Sequence, residues 1–170
     1  MATQMIGSSI KRVEDPRFIQ GKGTYTDDIK LPGMLHAVFV RSPYAHATIT
    51  SIDTSAAQAM PGVVAVYTGQ DTQADGVGSN PTGWLLPNLK IPPHPALAYE
   101  RVNYVGDPVA VIIATDPYVA NDAADAVVVE YDPLPVAAAP DKAMDSPTIH
   151  EEAPGNVAFD WAIGDPAQTD

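Results

Sequence analysis

The sequence predicts an α+β fold: a mixed sheet built from strand–helix–strand units, with a long loop, an extended N-terminal leader and a C-terminal linker. Segments 47–68 and 109–131 each place a short helical pattern between two stretches rich in β-branched residues. The chain has 17 prolines among 170 residues, which indicates many turns and strand edges because proline fixes φ and lacks an N–H donor. The hydrophobic share of 45% is typical of a folded globular protein.

The first 33 residues are predicted to form an extended leader. They show no sustained helical or strand period, and Gly21 and Gly23 interrupt them. Residues 1–41 carry six basic and four acidic side chains, whereas residues 42–170 carry three basic and seventeen acidic ones. The acidic part disfavours binding to nucleic-acid phosphates. The basic leader either docks on an acidic partner or is a solvated arm.

The first half of the main domain is predicted to contain three strands and one short helix. Residues 34–41, 47–53 and 63–68 are rich in β-forming side chains. Asp53 or Thr54 is expected to cap a short helix between the second and third strands.

The second half of the domain is predicted to repeat this order of elements. A short strand at 101–105 precedes a continuous apolar run at 109–114, which is typical of a central strand covered on both faces. Asp116 is expected to cap a helix with Pro117 at its first position, and 127–131 is expected to be the next strand.

These elements predict three regions: a leader at 1–33, an α/β domain at 34–145 and a linker at 146–170, with a short helix near 140–144. No apolar run approaches the roughly 20 residues that span a bilayer. The N-terminus lacks the apolar segment of a secretory signal, so a cytoplasmic location is the default expectation.

The residues that usually carry chemistry are sparse and scattered. The chain has no cysteine, and its four histidines show no metal-ligand spacing; they are His36, His46, His94 and His150. His36 is interpreted as a structural histidine, and His46 as a donor or cap to nearby backbone. Neighbouring acids on extended chain point apart, so they are interpreted as solvated charge. We therefore predict no catalytic, cofactor-binding or metal-ligating residue in this chain.

Residues 69–95 are predicted to form one long loop, and compact domains rarely keep a loop of this length without a use. Within it, Gly83, Trp84 and Leu85 begin an unusually apolar stretch. Apolar loop side chains either contact a partner or line a pocket, or they fold back on their own core. The first interpretation is slightly favoured.

Four groups of segments, in order along nearly the whole chain, resemble a known family. They are Arg12-Val13-Glu14-Asp15 with residues 21–28, Gly33-Met34-Leu35-His36 with 41–47, Pro61-Gly62-Val63, and residues 104–110 with 130–135. The chain is similar to the N-terminal α/β hammerhead region of the large, molybdopterin-binding subunit of the xanthine dehydrogenase, aldehyde oxidase and carbon monoxide dehydrogenase family. The Arg-x-Glu-Asp leader looks closer to the carbon monoxide dehydrogenase branch.

The resemblance implies an oxidoreductase that hydroxylates an aldehyde, an N-heterocycle or a carbon monoxide-type substrate, with water as the oxygen source. A full subunit of this kind would use molybdenum–molybdopterin cytosine dinucleotide, with iron–sulfur clusters and FAD on partner subunits. The implied partners are the rest of the large subunit and the iron–sulfur and flavin subunits, with no nucleic acid and no membrane span.

The resemblance also implies where the chemistry lies. The family's cofactor loops and catalytic glutamate come after the hammerhead, so this fragment is expected to be inactive alone, with 146–170 leading toward an absent molybdenum-binding domain. In xanthine-oxidising relatives a Gly followed by two bulky apolar residues lines the substrate funnel. Gly83, Trp84 and Leu85 match that pattern, and Trp84 would favour flat or small substrates.

Two other functions compete with this one. The chain is alternatively a stand-alone binding or scaffold module that uses the same fold, which a reading frame ending at Asp170 would support. A small hydrolase centred on residues 69–95 is disfavoured because no base and nucleophile are paired there.

Overall fold

The computed structural model describes residues 6–164 and divides into two compact units, Met1–Met34 and Leu35–Asp170. In the first unit, helix α1 spans Asp15–Ile19, with proline in its first turn. The Arg17 guanidinium donates to the Glu14 carboxylate at 2.6 Å across one helical turn. The leader was expected to be extended, so the presence of α1 differs from the prediction. A proline in its first turn and one local ion pair stabilise this helix, which is too short to produce a periodic pattern in the sequence.

An aromatic pair organises the rest of this unit. The rings of Phe18 and Tyr25 stack with centroids 5.6 Å apart. A Cβ on Gly23 would lie 3.0 Å from Phe18 Cδ1, so this position favours glycine. A 3₁₀ turn at Thr26–Asp28 follows, and the Tyr25 N–H donates to Asp28 Oδ2 at 2.8 Å.

The second unit contains two three-stranded antiparallel sheets. Its strands, in chain order, are β1 (His36–Arg41), β2 (Ala47–Asp53), β3 (Val63–Thr68), β4 (Arg101–Val102), β5 (Pro108–Ala114) and β6 (Val128–Pro133). The first sheet has the order β1-β5-β3 and the second has the order β4-β2-β6. The apolar strand β5 is central, as predicted.

The prediction of a single mixed sheet is wrong. The two strand–helix–strand units are present, but each one leaves one sheet and enters the other. Helix α2 (Ser55–Gln58) connects β2 of the second sheet to β3 of the first, and helix α4 (Pro117–Asp125) connects β5 of the first to β6 of the second. A strand that joins another sheet need not return parallel, so the handedness rule for parallel crossovers does not apply here.

The helix starts follow the sequence closely. Asp116 accepts hydrogen bonds from the backbone N–H groups of Tyr118 and Val119, and Pro117 opens α4, both as predicted. The Asp53 carboxylate accepts from the Ser55 N–H at 2.9 Å at the start of α2. The Ser55 contacts lower the pKa of Asp53.

Residues 69–95 are not entirely loop, because helix α3 occupies Gly69–Ala74. Asp71 accepts hydrogen bonds from both the backbone N–H and the hydroxyl of Thr68, at 2.7 Å each. These bonds lower the pKa of Asp71. This Thr-x-x-Asp cap forms a helix that lacks an apolar stripe, so the sequence periodicity does not show it.

Two apolar clusters form the core of the second unit. One is centred on the buried residues Ala47, Ala98, Val102 and Val109. The other packs the first sheet against α2 and α4 and contains Ala57, Val66, Ile112 and Ala123. Val40 on β1 contacts both clusters. Most buried positions are small or β-branched, which lets helices and sheets approach closely.

After β6 the chain forms two further 3₁₀ turns, Pro140–Asp145 and Pro154–Asn156; the first matches the predicted short helix. The side chain of Asn156 connects these two turns by hydrogen bonds. Its side-chain oxygen accepts from the Ile149 N–H at 2.9 Å, and its amide donates to the carbonyl oxygens of Ala143 at 2.7 Å and Pro147 at 3.0 Å.

Candidate functional site

The Trp84 loop, residues 79–95, is the part of the predicted loop 69–95 that lies between the paired residues Ser79 and Pro95. Its two ends are held together: Ser79 and Pro95 form an isolated β-bridge, and the Asn80 N–H donates to the His94 carbonyl at 2.8 Å. A tight turn lies further along, where the Leu89 N–H donates to the Leu86 carbonyl. The loop therefore projects from a closed base.

The three predicted residues lie on the outer part of this loop. Trp84 is 67% exposed and Leu85 is 70% exposed, so neither is buried in the core. A Cβ on Gly83 would meet no atom within 4 Å. The indoles of Trp84 and Trp161 pack in a T-shaped arrangement, with ring centroids 6.3 Å apart and planes at 78°. The Trp161 contact was not predicted, because 76 residues separate the two indoles in the sequence.

A buried polar turn follows β4 and connects two of the segments that carried the family resemblance. Asp107 is 5% exposed, and its carboxylate accepts from the Asn103 N–H at 3.0 Å. The Ser42 N–H donates to the Asp107 carbonyl at 2.9 Å, and the Gly106 N–H donates to the Ser42 carbonyl at 2.8 Å. Gly106 has φ +93°, which favours glycine. The Arg41 guanidinium also donates to the Gly106 carbonyl. Hydrogen bonds therefore join the two motif segments to each other.

His46 is used structurally, as the sequence indicated. Its Nδ1 lies 2.7 Å from the Pro135 carbonyl oxygen, so Nδ1 carries the hydrogen that this carbonyl accepts. The residue is 7% exposed, and its Nε2 is a buried atom without a hydrogen-bond partner within residues 6–164. The bond fixes the start of β2 to the chain that follows β6.

A cavity of about 340 Å³ lies between the base of the Trp84 loop and the buried turn. Its polar lining consists of His94, Arg101, Asn103, Tyr104, Asp107 and His150. His94 Nε2 and the Tyr104 hydroxyl share a hydrogen bond at 3.2 Å. The Asn103 Oδ1 is buried without a partner among the described residues. The lining therefore offers both donors and acceptors.

Burial and charge shift two titratable groups in this cavity. Burial is the main cause that raises the pKa of Tyr104, and the neighbouring Asp107 carboxylate adds to the effect. Burial also lowers the pKa of His150, and the Glu152 carboxylate opposes this change. Both shifts favour the neutral forms, so these side chains act as neutral hydrogen-bonding groups near pH 7.

Sequence reasoning missed this cavity. His94 and His150 are far apart along the chain, with 55 residues between them. The local motif Tyr104-Val105-Gly106-Asp107 marks one wall, but the sequence has no signal that brings His150 to it.

Within residues 6–164, no cluster of three or more His, Cys, Asp or Glu side chains has an arrangement that holds a metal ion. None of the described helices is long and apolar enough to cross a membrane.

The model of the α/β hammerhead domain of aldehyde oxidase and xanthine dehydrogenase matches residues 20–135. The chain belongs to this family. The match covers β1 to β6, the Trp84 loop and the polar turn, and it confirms both the resemblance and the α+β class predicted from the sequence.

Characterised relatives are large subunits of molybdenum hydroxylases. The carbon monoxide dehydrogenase large chain of Afipia carboxidovorans is 46% identical over 98% of this chain and 22% of its own length. The nicotine 6-hydroxylase large subunit of Paenarthrobacter nicotinovorans is 42% identical over 91% of this chain and 19% of its own length. The chain thus spans about a fifth of these relatives and matches one domain of them.

Solved structures agree in fold. Aldehyde oxidoreductase from Desulfovibrio gigas matches with a TM-score of 0.73 and 34% identity, over 87% of this chain and 17% of that one. A Cu,Mo-containing carbon monoxide dehydrogenase matches with a TM-score of 0.65 and 49% identity, over 83% of this chain and 17% of the other.

Proposed function

We propose that this chain is the N-terminal hammerhead part of a molybdenum hydroxylase large subunit. The observation that carries the proposal is the 46% identity to a carbon monoxide dehydrogenase large chain over 98% of this chain. Its place in the cell would be the cytoplasm, and its partners would be the rest of the large subunit with iron–sulfur and flavin subunits. The substrate would be an aldehyde, an N-heterocycle or a carbon monoxide-type molecule.

We assign the chain a structural and contact role in that subunit. The outer face of the first sheet supports this role. Phe39 and Tyr67 both lie opposite Val111 in the strand register, and they are 45% and 46% exposed. Helix α4 packs on this sheet, and its apolar residues join the cluster around Val66 and Ile112. An apolar row on the outer strands is suited to packing against further protein.

The chain spans about a fifth of the length of its relatives, so most of such a large subunit lies outside this chain. We therefore assign no reaction step to this chain, and the catalytic and cofactor-binding residues would belong to other parts of the subunit.

We further propose that the Trp84 loop lines the path by which substrate reaches the active site. Gly83, Trp84 and Leu85 carry this role. Support comes from the exposure of both large side chains on a loop whose base is closed by backbone hydrogen bonds. A flat indole beside the path would favour flat or small substrates.

Metal analysis combined with a dye-coupled oxidation assay tests the assignment. We expect the purified 170-residue chain to contain no stoichiometric molybdenum and to show no oxidation, and the subunit complex that contains this chain to show both. Stoichiometric molybdenum or turnover in the chain alone would overturn the assignment.

A further inference from the structure

The only two tryptophans in the sequence, Trp84 and Trp161, contact each other. Both are substantially exposed, at 67% and 49%. An edge-to-face contact between aromatic rings is favourable because the positive ring edge meets the negative ring face. A contact of this kind between exposed side chains restrains their rotation without burying them.

A backbone hydrogen bond beside the aromatic pair joins the same two segments. The Lys90 N–H donates to the Ala158 carbonyl at 2.9 Å, so the Trp84 loop and the segment that carries Trp161 are joined at a second point. That segment starts from Asn156, whose side chain bonds to Ile149 and Ala143. Trp161 is therefore presented from an anchored segment.

Trp84 belongs to neither of the two buried clusters of the second unit. The ring contact that orients Trp84 within the described part of the chain is the one with Trp161. Loss of Trp161 would remove this ring contact from Trp84.

We infer that Trp161 is a positioning residue: its ring contact holds the Trp84 indole in one orientation, so that a flat aromatic ring meets a fixed indole surface. This inference rests on the proposed role of the Trp84 loop in substrate access. Trp161 becomes a second residue of that site. A fixed indole surface would select planar aromatic or N-heterocyclic ligands.

Tryptophan fluorescence tests the positioning directly, because Trp84 becomes the only tryptophan once Trp161 is replaced. The variants are W161A and W161F in the full chain, with F159A as the matched control on the same segment; Phe159 is 51% exposed. We expect W161A to lower the fluorescence anisotropy of Trp84 and to increase its quenching by acrylamide. W161F keeps an aromatic ring and should restore both values. Equal anisotropy and quenching in W161A and W161F would overturn the inference.

Ligand binding to the assembled complex tests the consequence, with quinoline as the flat probe. We expect W161A to raise the Kd for quinoline by about two- to tenfold, and W161F and F159A to leave it near the wild-type value. If W84A raises this Kd but W161A does not, the positioning inference fails and the access role of Trp84 stands. If W84A itself leaves the Kd unchanged, the access role fails, and the inferred selectivity fails with it.

Discussion

At the scale of single residues, several side chains were assigned correctly from the sequence because their partners are close along the chain. Asp116 caps α4, and the Asp53 carboxylate accepts a hydrogen bond from the N–H of Ser55, the first residue of α2. Gly69 and His150 show the opposite case. Their neighbours come from distant segments, so only the folded chain reveals what constrains them.

Replacing Gly69 with alanine is expected to destabilise the fold. A Cβ at this position would lie 2.2 Å from the Ala98 carbonyl oxygen, so backbone would have to move. We expect a loss of about 1–3 kcal/mol in the free energy of unfolding, measured by urea denaturation. Gly78→Ala is the control, because a Cβ there meets nothing within 4 Å and φ lies outside the left-handed region. Equal stability of the two variants would show that the approach to Ala98 is not tight.

His150 is expected to make stability depend on pH. Burial lowers its pKa in the folded state below the ordinary value of 6.5, so the unfolded chain takes up a proton first as pH falls. The stabilising contribution is therefore complete above about pH 6.5 and is lost as pH falls through the folded-state pKa. His150→Gln should flatten the pH dependence of unfolding in this window.

The Glu152 carboxylate provides the matched variant, because it raises the pKa of His150 and opposes the effect of burial. Glu152→Gln should lower the pKa of His150 further and extend the window to lower pH. A wild-type profile that His150→Gln leaves unaltered would contradict the assigned burial.

At the scale of elements, helix α4 was predictable and helix α3 was not. Helix α4 combines an N-cap, a proline at its first position and an apolar side that includes the buried residues Ala120 and Ala123. Helix α3 has six residues, and Gly69 is the one that is buried. Its cap alone distinguishes it from loop, and a Thr-x-x-Asp pattern is too common to decide.

The cap of α4 is expected to contribute measurably to stability. Asp116→Ala removes the acceptor for two backbone N–H groups and should lower the free energy of unfolding by about 1 kcal/mol. Asp122→Ala, on the exposed side of the same helix, should change it by less than about 0.5 kcal/mol. Chemical denaturation of both variants measures the difference. A larger effect at Asp122 would refute the capping role.

At the scale of the whole molecule, the α+β class and the order of the six strands were predictable, but the assignment of strands to sheets was not. Both strand–helix–strand units are visible as local patterns in the sequence. Whether β6 joins β5 or crosses to β2 depends on contacts between segments about 80 residues apart, such as Ile49 opposite Tyr131. Local periodicity contains no information on such pairings.

Distance along the sequence also explains which parts of the candidate site were predicted and which were not. Gly83, Trp84 and Leu85 lie together in the sequence and were found as one apolar stretch. Trp161 and the cavity around His150 depend on how the segment after β6 returns to the Trp84 loop. Prolines and short 3₁₀ turns direct that return, and they leave no periodic pattern.

The central claim is that this chain shapes substrate access in a molybdenum hydroxylase without performing its chemistry. The most direct measurement is the ratio of kcat/KM for a bulky, non-planar substrate to that for a small one in the assembled complex, for wild type and Trp84→Ala, with molybdenum content measured in parallel. We expect the ratio in Trp84→Ala to rise by about tenfold through KM, which corresponds to a loss of about 1.4 kcal/mol of discrimination between the two substrates. Molybdenum content is expected to stay the same. An unchanged ratio, or a loss of kcat for both substrates in equal proportion, would contradict it.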